Sequence, residues 1–152
     1  MAREPIPTYC FSLVVVKLGR RILLVHERKH GQLWYFPAGR VEPGETFAEG
    51  ALRETLEEAG VEIELEGILR VERSVLPDYA RMRVIYLARP ADDREPKSEP
   101  DDESLEARYV TLEEMRQMPL RGSEVAMWSE HVLAGCAVAP LSLMAIEGEP
   151  PR

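Results

Sequence analysis

The chain has 152 residues, a formal net charge of −8, 45% hydrophobic and 30% charged residues. These proportions describe a globular domain with a core of ordinary size, and the length suits a single domain over residues 1–152. The acidic excess argues against a dedicated binder of nucleic-acid polymers, which needs basic patches, but leaves small phosphorylated ligands open.

No segment has the length and apolarity of a membrane span, and MAREPIPTY lacks the apolar core of a signal peptide. Cys10 and Cys136 are far apart, without metal-type spacing, and fit buried thiols in a reducing cytoplasm. Residues 1–7, with Pro5 and Pro7, and residues 147–152 are expected to be flexible. Tyr9–Lys17, rich in valine and aromatics, reads as a strand, and Leu18-Gly19-Arg20 as a tight connection into a second strand, Arg21–Glu27. His26, Arg28, Lys29 and His30 are assigned to a polar, solvent-exposed loop. Leu33–Pro37 is a short apolar segment whose Trp34 and Tyr35 suit either stacking on a base or burial. It delivers the backbone to Gly39, where a missing Cβ allows close approach.

The stretch Gly39–Val61, GRVEPGETFAEGALRETLEEAGV, carries the chemistry. Pro43-Gly44 marks a turn, Thr46 and Glu49 form a capping box, and Gly60 suits a helix C-terminus. Phe47, Ala51, Leu52, Thr55 and Ala59 supply an apolar helix face. Glu54, Glu57 and Glu58 stand at i, i+3 and i+4, so their Cβ atoms are roughly 5–6 Å apart on one face. Like charges that close repel unless a cation sits among them, and oxygen-only ligands suit Mg²⁺ or Mn²⁺. Such a metal serves phosphate chemistry.

The spacing of Gly39, Glu45, Arg53-Glu54, Glu57-Glu58, Gly60 and Val61 resembles the signature of the Nudix (MutT-like) family. Thr55 stands where that family usually has an aliphatic residue. The resemblance implies an α+β Nudix fold, a central mixed β-sheet sandwiched between α-helices. It implies that Glu57 and Glu58 ligate Mg²⁺, with Glu54 a ligand or base and the Gly39 carbonyl a further ligand. Arg53 then orients the glutamates, and Glu45 and Gly60 support the site.

After the helix, Val61–Leu76 reads as a long or broken strand, Pro77-Asp78 as a turn, and Met82–Leu87 as another strand. Arg81 and Arg83, with Arg40 in the signature, are candidates for gripping substrate phosphate. RPADDREPKSEPDDES, residues 89–104, is a long acidic loop and a candidate lid. Ala107–Val110 resumes strand character, Thr111–Met115 is a short capped helix, and Ser123–Ala134 an amphipathic helix closed by Gly135. His131 completes no ligand set. Some Nudix proteins take their base from a glutamate shortly before the strand after the acidic loop; Glu103 is best placed here, with Asp102 second.

The resemblance covers about Ser12–Leu133. WYFPAGRVEPGE, YLARP, DDESLEARYV and PLRGSEV look most like a branch that hydrolyses oxidised guanine nucleotides, 8-oxo-dGDP and 8-oxo-GDP. The asparagine that some such hydrolases use to read the base has no counterpart; Arg121-Gly122-Ser123-Glu124 stands there. The expectation is a cytoplasmic Mg²⁺-dependent diphosphatase, monomer or homodimer, acting on a small phosphorylated substrate, with no membrane partner. ADP-ribose, a nucleotide sugar or a coenzyme-type pyrophosphate are alternative substrates, and a non-catalytic nucleotide-binding regulator is the alternative from another class.

Overall fold

The computed structural model describes residues 3–152. Its strands are β1 (Thr8–Leu18), β2 (Arg21–Glu27), β3 (Trp34–Tyr35), β4 (Ala38–Arg40), β5 (Ile63–Val75), β6 (Ala80–Pro90) and β7 (Ser104–Val110). The helices are α1 (Phe47–Ala59), α2 (Leu112–Met115) and α3 (Glu124–Leu133), followed by a 3₁₀ turn at Leu141–Leu143. The sheet order is β3-β2-β1-β6-β5, with β4 added to β1 and β7 to β2. β1 runs parallel to β6 and the other pairings are antiparallel, so the sheet is mixed and the fold α+β.

The uninterrupted apolar runs of β1 and β2 follow from burial on both faces. Leu13 and Val15 pack with Ile22, Leu24, Trp128 and Val132 on the α3 side. Val14 and Val16 pack with Leu23, Val25, Ala51 and Ala59 on the α1 side. All eight of these strand residues are fully buried. β1 and β2 pair only beside their turn, at Lys17–Ile22 and Leu18–Arg21. Beyond it β1 continues along β6 while β2 pairs with β7, and at their far ends Phe11–Leu13 and Glu27 line a common cleft.

Several predicted bounds move. β5 is one long strand with register shifts at Leu65/Gly67 and Ile68/Arg70, and β6 extends beyond Met82–Leu87 at both ends. The acidic loop shrinks to residues 91–103 because β6 and β7 take its edges. His26 belongs to β2 and not to the loop: its ring stacks on Trp34 at 4.6 Å and 7°. Residues 3–7 and 147–152 carry no strand or helix and are exposed, while residues 1 and 2 lie outside the described residues.

Candidate active site

The connection from β4 to α1 is locally specified. The Thr46 side chain accepts the Glu49 amide at 3.1 Å, a cap whose loss typically costs ~1 kcal/mol. Only half of the expected capping box forms, since the Glu49 carboxylate meets the Thr46 hydroxyl rather than its amide. Gly60 closes the helix at φ 69°, donating its N–H to the Leu56 carbonyl, a backbone that an L side chain adopts only with strain. The buried stripe is Gly50, Ala51, Thr55 and Ala59. Leu52 does not join it and is 41% exposed. The small stripe residues bring α1 close to the sheet, and Glu54 and Glu58 occupy the adjoining positions, both partly buried.

Arg53 uses all five of its N–H donors. Nε donates to Glu45 Oε2 at 2.7 Å, Nη2 to Glu45 Oε1 at 2.9 Å and to the Arg40 carbonyl at 3.0 Å. Nη1 donates to Glu54 Oε1 at 2.9 Å and Glu57 Oε2 at 3.1 Å. Glu45 also accepts the Glu42 amide. Hydrogen bonding from Arg53 lowers the Glu45 carboxyl to about 2, and the same bonds raise the Arg53 guanidinium above its ordinary value. Glu54 moves the other way. Burial raises its carboxyl despite the Arg53 hydrogen bond, and Glu57 and Glu103 add repulsion.

Glu58 is the extreme case. Its carboxylate receives the Ala38 amide at 2.9 Å. Burial, with repulsion from Glu54, Glu27 and Glu103, pushes it up to about 9. Gly39 leaves room for the helix glutamate, because a Cβ there would collide with the Glu54 carboxylate. Among the described residues no three acidic or imidazole groups are already gathered into a metal cage. Arg53 holds Glu54 and Glu57 by one nitrogen, Nη1. The donor set still fits a hard divalent cation: oxygen-only, anionic, partly buried and short of hydrogen-bond donors.

Glu58 faces a cleft of about 440 Å³. Of the predicted site residues, Gly39, Glu58, Arg81, Arg83, Asp102 and Glu103 line it. Glu54 lies close enough to Glu58 and Glu103 for charge repulsion, while Glu57 is on the more open flank of α1, 40% exposed. Arg40 is outside the lining, its guanidinium over the Tyr9 ring at 4.9 Å. Trp34 is buried between the His26 ring and Arg108, so it has no face for a base.

The cleft also holds groups that sequence reasoning did not assign. Arg83 makes a bidentate pair with Glu124, at 3.0 and 2.8 Å, and donates to Glu72 at 2.7 Å. The Tyr35 hydroxyl donates to the same Glu124 carboxylate. The Arg83 hydrogen bonds hold Glu124 below its ordinary value, and burial raises the Tyr35 hydroxyl. Arg121 pairs with Glu27 at 3.0 Å and lies over the Tyr35 ring at 4.7 Å. Glu72 faces Arg83 across the β5–β6 hairpin, 11 residues away, but no local pattern marks the Glu124 and Glu27 partners, which are 41 to 94 residues from theirs. The one available signal was the cluster Arg121-Gly122-Ser123-Glu124 where an asparagine was sought.

The NUDIX domain family model matches residues 8–128. The chain belongs to the Nudix family. It is 37% identical over 121 residues to human "8-oxo-dGDP phosphatase NUDT18", a match covering 76% of this chain and 36% of that protein. The chain thus spans about a third of the length of that curated relative. "Phosphatase NudJ" of Escherichia coli O1:K1 is 31% identical over 105 residues, with 68% of each chain covered. Among solved structures, a "NUDIX hydrolase from Nitrosomonas europaea" superposes with a TM-score of 0.73 at 23% identity, covering 93% of this chain and 99% of that one. That likeness is one of fold. The Nudix signature lies at the β4–α1 junction, where the cleft opens beside Glu58.

Proposed function

We propose that this Nudix domain, formed by the whole chain, hydrolyses a phosphoanhydride bond in a nucleoside-diphosphate-type substrate by attack of water at phosphorus. The observation carrying this reading is Glu58: a partly buried carboxylate facing the cleft, repelled by Glu54, Glu27 and Glu103 and given one backbone donor. Glu57, Glu58 and the Gly39 carbonyl, with Glu54 as ligand or base, are assigned to hold Mg²⁺, with Mn²⁺ as an alternative. When bound, the ion supplies neutralisation of charge on the phosphoryl oxygens and acidifies a water. Arg53, itself fixed by Glu45, holds Glu54 and Glu57 through charge-assisted hydrogen bonds. Glu103, which lines the same cleft as Glu58, is assigned to take the proton of the attacking water. Arg81 and Arg83 offer guanidinium groups to phosphate oxygens; Arg81 is the freer, stacked on Phe11 at 4.4 Å, whereas Arg83 is paired with Glu72 and Glu124.

The similarity to proteins named 8-oxo-dGDP phosphatase supports oxidised guanine nucleoside diphosphates as substrates. A Mg²⁺-dependent hydrolysis panel of 8-oxo-dGDP, dGDP, ADP-ribose and nucleotide sugars tests this. The expected result is a kcat/KM for 8-oxo-dGDP at least about tenfold above dGDP, a difference of ~1.4 kcal/mol. A maximum at ADP-ribose or a nucleotide sugar keeps the chemistry and overturns the substrate; tight nucleotide binding without turnover points to a regulator.

A further inference from the structure

The acidic loop does not hang free of the carboxylate helix. α1 has no basic residue in its last turn, so its final carbonyls need partners from elsewhere. The Gly60 amide takes Leu56 O at 2.9 Å. The other three are taken by the segment before and within β7. Lys97 Nζ donates to Glu57 O at 2.6 Å, Ser104 Oγ to Glu58 O at 2.6 Å, and the Lys97 amide to Ala59 O at 2.8 Å. An ammonium at that end also complements the helix dipole. Lys97 is 12% exposed and Ser104 fully buried.

The same segment is tied to itself around Asp101. Lys97 Nζ meets Asp101 Oδ2 at 2.6 Å and donates to Ser104 Oγ at 3.1 Å. Asp101 Oδ1 accepts the amides of Glu103 at 2.9 Å and Ser104 at 3.1 Å. The Asp101 amide donates to Ser104 O at 2.9 Å, and Arg28 Nη1 to Asp101 O at 2.9 Å. The turn that carries Asp102 and Glu103 into the cleft is therefore anchored on Lys97 and, through Ser104, on α1. The hydrogen bonds and ion pair of the Asp101 side chain all stay within the segment, to Lys97, Glu103 and Ser104, and it is half exposed.

We propose that Lys97, Asp101 and Ser104 are positioning residues, a clip that fixes Glu103 against the α1 carboxylates and acts on turnover through Glu103. This rests on the assignment of Glu103 as the acid–base group. The purely structural alternative is a helix cap, which affects folding without coupling to Glu103.

The test is a set of double-mutant cycles: D101A and S104A, each alone and combined with E103Q, assayed on 8-oxo-dGDP and ADP-ribose at saturating Mg²⁺. A displacement of Glu103 is expected to lower kcat about 10- to 100-fold in the single clip variants, with KM within about threefold of wild type. In the E103Q background the same changes are expected to cost nothing further. Amide exchange at residues 103 and 104 is expected to rise in D101A, with Mn²⁺ affinity, read by electron paramagnetic resonance, unchanged. Losses that add in the double mutants beside a deep E103Q defect overturn the clip alone, as does full turnover with unchanged exchange in D101A. Wild-type turnover in E103Q removes Glu103 from the reaction and the clip's role with it.

Discussion

Glu45 and Glu58 are glutamates of one signature, and their surroundings drive them in opposite directions. Glu45 gains two guanidinium hydrogen bonds, while Glu58 has one backbone donor and three acidic neighbours. Spacing announced that these residues act together; it did not show which of them would be buried, because that depends on how close α1 lies to β4. An acid whose pKa falls on folding contributes stability above its unfolded pKa and loses it as pH falls towards the folded value. Glu45 falls from 4.5 to about 2. E45Q is therefore expected to cost about 1–3 kcal/mol near neutral pH, the scale of a hydrogen bond to a charged group. The gap to wild type should close as pH falls from 4.5 to about 2. Denaturant unfolding across that range reads it, and a gap independent of pH would contradict the assignment.

At the scale of elements, α1 was the most legible part of the chain, since cap, glycine stop and period are all local. Leu52 departs from the expected face because an arc of the helix that faces the protein carries Glu54 and Glu58, which hydrophobic periodicity does not count. Thr55, the departure from the family pattern, is fully buried and bonds its hydroxyl to Ala51 O at 2.8 Å, within its own helix. That bond competes with the helix ladder rather than joining elements. T55V keeps the shape and removes the hydroxyl, so turnover should be unchanged and unfolding free energy equal or higher by up to ~1 kcal/mol. A loss beyond that in urea unfolding would assign the hydroxyl a structural role. His26 shows the opposite limit: grouped by its polarity with the loop that follows, it lies within the strand, paired with Trp34 and Glu106, its ring stacked on Trp34 and hydrogen-bonded to the Gln32 carbonyl.

For the whole molecule, the cleft depends on strands that pair beside one turn and then take different partners. The strands themselves were legible from their double-sided apolar runs. Their separation was not, and with it stayed hidden the Tyr35, Arg83 and Glu124 cluster, the Arg121–Glu27 pair and the anchoring of the acidic loop. A protein of net charge −8 thus sets Arg81, Arg83 and Arg121 in one cleft with Glu27, Glu58 and Glu103, an arrangement suited to an anionic substrate held with a cation. The most direct test of the account is Mg²⁺-dependent turnover of a diphosphate substrate by E58Q beside wild type, with unfolding measured on both. Glutamine keeps an acceptor for the Ala38 amide and removes a partly buried acid with three acidic neighbours, so the variant should fold with equal or greater stability. Its kcat should fall by about 10²-fold or more, the scale of losing one charge-stabilising group at a reacting centre. Wild-type kcat in a folded E58Q protein would contradict the account.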